Sequence, residues 1–399
     1  MKNAFVIVLV ATIIFGAGGS GLLVADTVRT DAERRAALSE VNEAQQQAMD
    51  EYEAAVAAVD AQNQANQEKY EKELADYNAR VAAENAWPAP PTGEGWELVD
   101  ISDYPLEQEE IVTLGRDEVI YNGLLLVNQW HSRPTYYDDD QPVNVHSAFP
   151  SIRLDNHRIK LLERAGEAWN ELIGDAVVRG WDYFMLYRGY RTYAEQETLF
   201  NEQRDALRSR YTSDDDLMAA TARRVSLPGT SEYNSGLSAW PRLYKSGDSA
   251  INGRDSNFFE SEEGLWVYEN AWRYGMVFRF PLTDYPVHGT QDKSYKTGIS
   301  TRMRLFRYVG RANAAAMHIL GFCLEEYLEY LQEHSHLAIF EDGEPRFEIF
   351  VENVAGGSLD NLQTVLVRQS GKDGIVSQES MYDNLGHIVT VIEFQSEDI

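Results

Sequence analysis

Cysteine is almost absent from this chain of 399 residues, since Cys323 is the single one. No disulfide can therefore form within the chain, and the apolar residues around this thiol indicate a small buried core residue. Positive charge is also scarce, because 35 Lys and Arg stand against 64 Asp and Glu, a formal net charge of -29. Proteins that bind nucleic acid present a basic face to the phosphates, so this charge argues against a nucleic-acid partner.

Patterns that bind metals are missing as well. No two of the eight histidines have the i, i+4 spacing that places two imidazoles on one face of a helix. His334 and His336 could face one side of an extended segment, but we interpret them as structural or surface residues. The acidic run 138–140 is compatible with a loose calcium site or with a solvated loop, and we favour the solvated loop.

The N-terminus contains a long run without charge, residues 4–25, preceded by Lys2. As a helix, this run is long enough to cross a hydrocarbon core of about 30 Å. We expect residues 1–25 to be a signal anchor, with a cleaved signal peptide as the alternative. The predicted location is the cell membrane, single-pass with an extracytoplasmic globular domain, or secreted if the segment is cleaved.

Residues 26–86 contain neither proline nor glycine and are rich in Ala, Glu, Gln and Asn, which predicts a long helical stalk. Leu38, Val41 and Val59 fall on heptad-like positions, although the apolar stripe is thin. A weak coiled coil that self-associates and a lone stalk both remain open. The Pro/Gly segment 87–96 ends the helix and is predicted to be a linker.

Candidate strands and helices are interspersed through residues 97–345, which predicts one domain of the α+β class. The apolar patterns predict two strands, at 123–128 and 183–187, and three helices, at 159–177, 192–211 and 312–332. The tail alternates at 388–392 after a turn, which predicts a closing β-hairpin or an edge ladder. We therefore expect residues 346–399 to be a C-terminal β extension packed on the domain.

The same region contains an ordered set of motifs. They are Leu125–Asn128; Arg188–Thr192 with Gln196; Pro228–Trp240; and Asn270–Gly275 with Arg279–Pro281, Thr297–Gly298 and Phe306–Gly310. Across about 115–340, this set resembles the VanY-type D,D-carboxypeptidases of bacterial cell-wall metabolism. The resemblance implies a D,D-carboxypeptidase-like domain of the VanY/hedgehog type, with an antiparallel sheet flanked by helices.

The resemblance also implies a chemistry. In that family, zinc held by His, Asp and His activates a water molecule, and a Glu accepts the proton. Here Tyr233, Trp240 and Leu305 occupy the ligand positions, and Arg302 occupies the position of the base. A protonated phenol, an indole and a leucine are not zinc ligands, and a guanidinium cannot act as a base. We therefore predict no catalytic residue, no zinc and no other cofactor.

Some positions that the resemblance assigns to substrate binding are retained. Arg191 stands where the family places its carboxylate-binding arginine, and Ser231 stands where it places a hydroxyl. Arg191 is either a ligand anchor or part of a structural ion pair. Arg188 replaces a small serine, while Tyr190 and Gln196 are expected to pack and position this segment. These five residues are the candidate ligand-binding residues, and Arg302 extends them into a predicted basic patch.

Three functions follow from these observations. The first is a membrane-tethered, catalytically inactive homologue that binds a cell-wall stem peptide or a protein partner. The second is an active D-Ala-D-Ala carboxypeptidase that uses a displaced metal site. The third is a scaffold protein assembled through a coiled coil.

Overall fold

The computed structural model describes residues 31–83 and 91–395, which belong to two units, residues 1–85 and 86–399. In the first unit, the predicted long helix is confirmed as α1, Asp31–Ala83. Polar side chains one turn apart support it, as where Gln46 donates to Asp50 at 2.8 Å. Leu38 and Val59 are exposed, and nothing in the described part of α1 supports the predicted coiled coil or self-association.

The predicted location in a membrane is contradicted. Across residues 31–83 and 91–395, no helix combines the length and the apolar character that crossing a bilayer requires. The helix α1 has the length, but charged and amide side chains occur throughout it. The run predicted to be an anchor or signal, residues 1–25, lies outside the described residues.

The second unit is an α+β domain, as predicted. Its strands are β1 Trp96–Asp100, β2 Glu109–Gly115, β3 Val143–Asn144, β4 Arg153–Leu154, β5 Lys160–Leu161, β6 Phe184–Arg188, β7 Ser238–Leu243, β8 Met276–Phe278, β9 Phe306–Tyr308, β10 His336–Glu341, β11 Glu344–Asn353, β12 Thr364–Ser370, β13 Ile375–Tyr382 and β14 His387–Phe394. Its helices are α2 Asp117–Ile120, α3 Val145–Ala148, α4 Glu163–Val178, α5 Tyr193–Leu207, α6 Asp214–Ala222, α7 Ser249–Ser256, α8 Glu262–Asn270, α9 Ser294–Thr297, α10 Arg311–Leu320 and α11 Leu324–Glu333.

Two five-stranded sheets organise the domain. The first has the order β4-β6-β7-β9-β8 and is antiparallel except for the parallel pair β4–β6. The second has the order β1-β10-β11-β14-β13 and is antiparallel throughout, with β13 and β14 forming the predicted C-terminal hairpin. The second sheet joins strands from both sides of residue 345, and the predicted domain boundaries stay predictions.

Each sheet packs on helices to form a core. The larger core surrounds Trp169 of α4, whose ring meets Phe306 of β9 edge-on at 6.0 Å between centroids. The other core lies between the second sheet and helices α10 and α11, with Tyr327 and Leu328 fully buried. Burial of this apolar area is the main stabilising contribution to the domain.

Two of the predicted elements differ from the structure in more than the position of an end. The residues predicted as one helix at 312–332 form α10 and α11, because Gly321 has φ +66 and ends α10. Residues 123–128 are largely buried but form no strand. Two of their carbonyl groups accept from one distant side chain instead, since Arg307 donates to Gly123 O and Leu125 O at 2.7 and 2.9 Å.

Candidate functional site

The first segment of the site is the turn between β6 and α5. A Cβ atom at Gly189 would lie 2.5 Å from the carbonyl oxygen of Lys160, so this position requires glycine. The Tyr190 N–H donates to the same carbonyl at 2.8 Å. Thr192 and Glu195 then cap α5 reciprocally, with Thr192 Oγ1 accepting from Glu195 N at 3.1 Å. The turn therefore places Arg188 before it and Arg191 after it on a fixed backbone.

The second segment is the 3₁₀ turn Glu232–Ser235, which ends at Gly236 with φ +74. It is tied to the first segment at two points. The Arg191 N–H donates to Tyr233 O at 3.0 Å, and Asn234 Nδ2 donates to Arg191 O at 2.8 Å. Tyr233 and Arg191 are thereby held side by side.

The resemblance implies three metal-ligand positions and one base position, and the three ligand positions lie together. Tyr233, Leu305 and Phe280 are buried in one apolar cluster, and Trp240, Ile299 and Met303 pack against it. The fourth residue, Arg302, is exposed and lies over Tyr285, with Cζ 5.2 Å from the ring centroid. This apolar cluster contains the three positions at which the resemblance implies metal ligands.

These residues do not fit zinc. Burial raises the pKa of the Tyr233 phenol to about 12, so it is protonated at neutral pH, and its neighbours Trp240 and Leu305 provide no ligand atom. Throughout the part of the chain that the structure describes, no group of three or more His, Cys, Asp or Glu is placed to hold a metal ion. The residues of this site therefore support no reaction through a zinc ion.

Two arginines flank the apolar cluster. Arg191 lies over the Tyr233 ring, with Cζ 4.4 Å from the centroid, and donates to Gln196 Oε1 at 3.2 Å. Arg188 lies 4.9 Å from the Tyr187 centroid and 5.9 Å from that of Trp240. Burial lowers the pKa of Arg191 below its ordinary value, although a guanidinium stays charged at neutral pH. Arg191 forms no ion pair with a carboxylate among residues 31–83 and 91–395, so the structural ion pair considered for it is not observed there.

The other candidate residues support this arrangement. Gln196 is buried and donates to Ser226 O at 2.8 Å, which orients its oxygen toward Arg191. The Tyr190 hydroxyl donates to Asp139, which also accepts from Arg133. Asp139 of the acidic run is therefore engaged in a hydrogen-bond network. Ser231 is buried directly before the 3₁₀ turn.

A buried charge network lies next to the apolar cluster. It consists of Glu232, Arg279, Arg307 and Glu325, all with side chains at most 7% exposed. Arg279 donates to Glu232 at 2.8 Å and to Glu325 at 2.8 and 2.6 Å, and Arg307 donates to Glu232 at 2.6 Å. Burial alone would raise the pKa of the Glu232 carboxyl, but Arg307 and Arg279 hold it below its ordinary value.

The pairing of these four residues was not predicted from the sequence. Its signal was present, because Glu232, Arg279 and Arg307 each stand inside one of the motifs of the resemblance. Charged residues in otherwise apolar motifs, such as Arg279 before Phe280, indicate buried pairing.

The two closely spaced histidines do not converge on one site. His334 Nδ1 lies 2.5 Å from an Asp100 carboxylate oxygen, and the ring stacks on Tyr330. His336 is buried, with Nδ1 2.7 Å from the Tyr104 carbonyl oxygen. Each imidazole is therefore engaged with its own partners, in agreement with the structural role expected for both.

Known proteins resemble this chain in sequence and in fold. Residues 158–310 match the family model of VanY, D-alanyl-D-alanine carboxypeptidase. A D-alanyl-D-alanine carboxypeptidase of Enterococcus faecium is 27% identical over 329 residues, which cover 78% of this chain and 87% of that protein. Another, of Enterococcus faecalis (strain ATCC 700802 / V583), is 26% identical over 241 residues, 60% of this chain and 77% of that protein.

A solved structure extends the comparison to the fold. The vancomycin resistance D,D-dipeptidase VanXYg, in complex with a D-Ala-D-Ala phosphinate analogue, is 24% identical with a TM-score of 0.50. The match covers 71% of this chain and 99% of that one.

Proposed function

We propose, given the VanY-type D,D-carboxypeptidase fold of this domain, that the chain binds the C-terminal carboxylate of a peptide without hydrolysing it. The proposal rests on one observation, the packing of Tyr233 and Leu305 with Phe280 beside an arginine that has no carboxylate partner in the described structure. The apolar cluster offers no site for a metal-bound water. Arg191 offers a planar, oriented pair of donors that suits a carboxylate.

The proposed ligand is a cell-wall stem peptide ending in D-Ala-D-Ala. Relatives of this chain are D-alanyl-D-alanine carboxypeptidases, and VanXYg was solved with a D-Ala-D-Ala phosphinate analogue. Hydrogen bonds to a charged carboxylate contribute about 1.5–3 kcal/mol each, so an oriented guanidinium contributes a large part of the free energy of binding. The acidic tail of a protein partner presents the same carboxylate chemistry and is the alternative ligand.

Three measurements on the full-length chain test this function. Calorimetric titration with a pentapeptide ending in D-Ala-D-Ala should give saturable heat, and Arg191→Ala should weaken binding at least about tenfold by removing the charged donors. Metal content after purification should show no stoichiometric zinc. Incubation with the pentapeptide should release no D-Ala.

The controls separate binding from folding. Arg210 is exposed and has no ion pair among the described residues, so Arg210→Ala removes an equal charge away from the site and should leave binding unchanged. Stoichiometric zinc together with release of D-Ala would replace this proposal with an active carboxypeptidase. Absence of heat for wild type, or unaltered binding by Arg191→Ala, would also overturn it.

A further inference from the structure

Arg188 and Arg191 place two like charges against the same side chain. Arg191 faces the ring of Tyr233, and Arg188 lies near the hydroxyl of that ring. The hydroxyl itself is buried without a well-formed hydrogen bond. Two neighbouring guanidinium groups repel each other unless an anion lies close to both.

This chain has a large excess of carboxylates, yet none forms an ion pair with these two arginines among residues 31–83 and 91–395. On the neighbouring strand β7, Arg242 pairs with both Asp155 and Asp255. The acidic side chain closest in sequence to Arg191, Glu195, is occupied in capping, since it accepts from Thr192 N at 2.9 Å. The two charges therefore form no ion pair within the described residues, and Glu195 acts on Arg191 only through the longer-range attraction of a carboxylate that is engaged in the cap.

The two guanidinium groups also differ in their exposure and in their contacts. Arg191 is partly buried and held by Gln196 and the Tyr233 ring, whereas Arg188 is exposed at the end of β6. A fixed donor loses little conformational freedom on binding, and an exposed one can adjust to a second group of the ligand. One anchored cation beside one adjustable cation suits a ligand that has two anionic groups a short distance apart.

We infer that this pair binds a dicarboxylate end group, that is, a peptide whose C-terminal residue has an acidic side chain. Arg191 takes the α-carboxylate and Arg188 takes the side-chain carboxylate. The inference rests on the proposed function and names its ligand class. A peptide ending in alanine neutralises one of the two charges, and a peptide ending in glutamate neutralises both.

Three N-acetylated peptides that differ only in their last residue test this inference on the full-length protein. They end in D-Ala, D-Glu and D-Gln, so that D-Gln has the shape of D-Glu without its charge. In calorimetric titration, wild type should bind the D-Glu peptide at least about tenfold more tightly than the D-Gln peptide. Arg188→Ser should bring the D-Glu and D-Gln affinities to within about twofold of each other, because it removes the cation that distinguishes the two side chains.

The matched control is Arg210→Ser, which should preserve the preference for D-Glu. If Arg188→Ser fails to fold by circular dichroism, Arg188→Gln serves in its place with the same expected result. Equal binding of D-Glu and D-Gln by wild type, with the D-Ala peptide still bound, would overturn this inference and leave the proposed function intact. No binding of any of the three peptides would overturn both.

Discussion

At the scale of single residues, Glu232 and Tyr233 show how adjacent positions take opposite roles. Glu232 belongs to the buried charge network, and Tyr233 belongs to the apolar cluster. Each follows from its surroundings, because a buried carboxylate requires partners and a buried phenol fills an apolar space. Glu232 thus contributes to the stability of the domain through its ion pairs, whereas Tyr233 fills the apolar cluster.

We expect Glu232→Gln to lower the free energy of unfolding by about 3 kcal/mol at pH 7, because it leaves Arg279 and Arg307 buried with a neutral partner. Urea unfolding measures the effect. The control is Glu171→Gln, which removes an exposed partner of Arg311 and should cost less than about 1 kcal/mol. Equal effects of the two changes would contradict the role of the network.

The same carboxylate predicts a pH dependence. Because the pKa of Glu232 is lower in the folded chain than its ordinary 4.5, its contribution is fully present above that value and is lost as the pH falls below it. Glu325 behaves in the same way, because Arg279 outweighs the effect of burial and lowers its pKa. The difference in stability between wild type and Glu232→Gln should therefore shrink between about pH 5 and pH 3. A difference that is constant over this range would contradict the shift.

At the scale of elements, the turn between β6 and α5 decides where both arginines lie. We expect Gly189→Ala to destabilise the domain by about 1–3 kcal/mol and to weaken peptide binding, because its Cβ meets the Lys160 carbonyl. The matched control is Gly174→Ala in the exposed interior of α4, where a Cβ meets nothing within 4 Å. That change should stabilise by about 0.5–1 kcal/mol. Thermal unfolding and titration measure both, and full binding by Gly189→Ala would contradict the prediction.

Elements with a local signal were predictable from the sequence. The absence of proline and glycine predicted α1, and the alternating tail predicted the hairpin of β13 and β14. Residues 159–162 were assigned to a helix, but α4 begins at Glu163 because Lys160 and Leu161 pair with β3. The backbone of residues 123–128 is held by Arg307, which lies about 180 residues away in the sequence. No local pattern reveals this contact.

For the candidate site, the motifs predicted which residues lie together but not the direction of every side chain. Motifs placed Tyr233, Trp240 and Leu305 at related positions, and the structure brings them into one apolar cluster. Arg302 was expected to extend the basic patch, yet it lies over Tyr285 instead. The direction of an exposed arginine depends on which aromatic ring is near it, and sequence spacing does not encode that.

At the scale of the whole molecule, the formal net charge of -29 predicts a response to salt. Self-repulsion of an acidic chain destabilises its compact state, and salt screens this repulsion. We expect the midpoint of thermal unfolding to rise when NaCl increases from about 20 to about 200 mM, where the Debye length falls below about 10 Å. An equal osmolarity of sucrose controls for solvent effects, and a fall of the midpoint in NaCl would contradict the expectation.

The difference in bonding between the buried charge network and the apolar cluster has a consequence for how the sequence can change. Within one short turn, Glu232 accepts hydrogen bonds from Arg279 and Arg307, whereas the adjacent Tyr233 packs with Phe280 and Leu305. Substitutions at Tyr233, Phe280 or Leu305 therefore remove no hydrogen-bonding partner from the buried charges. The same backbone can in this way be retained while the side chains of the apolar cluster change.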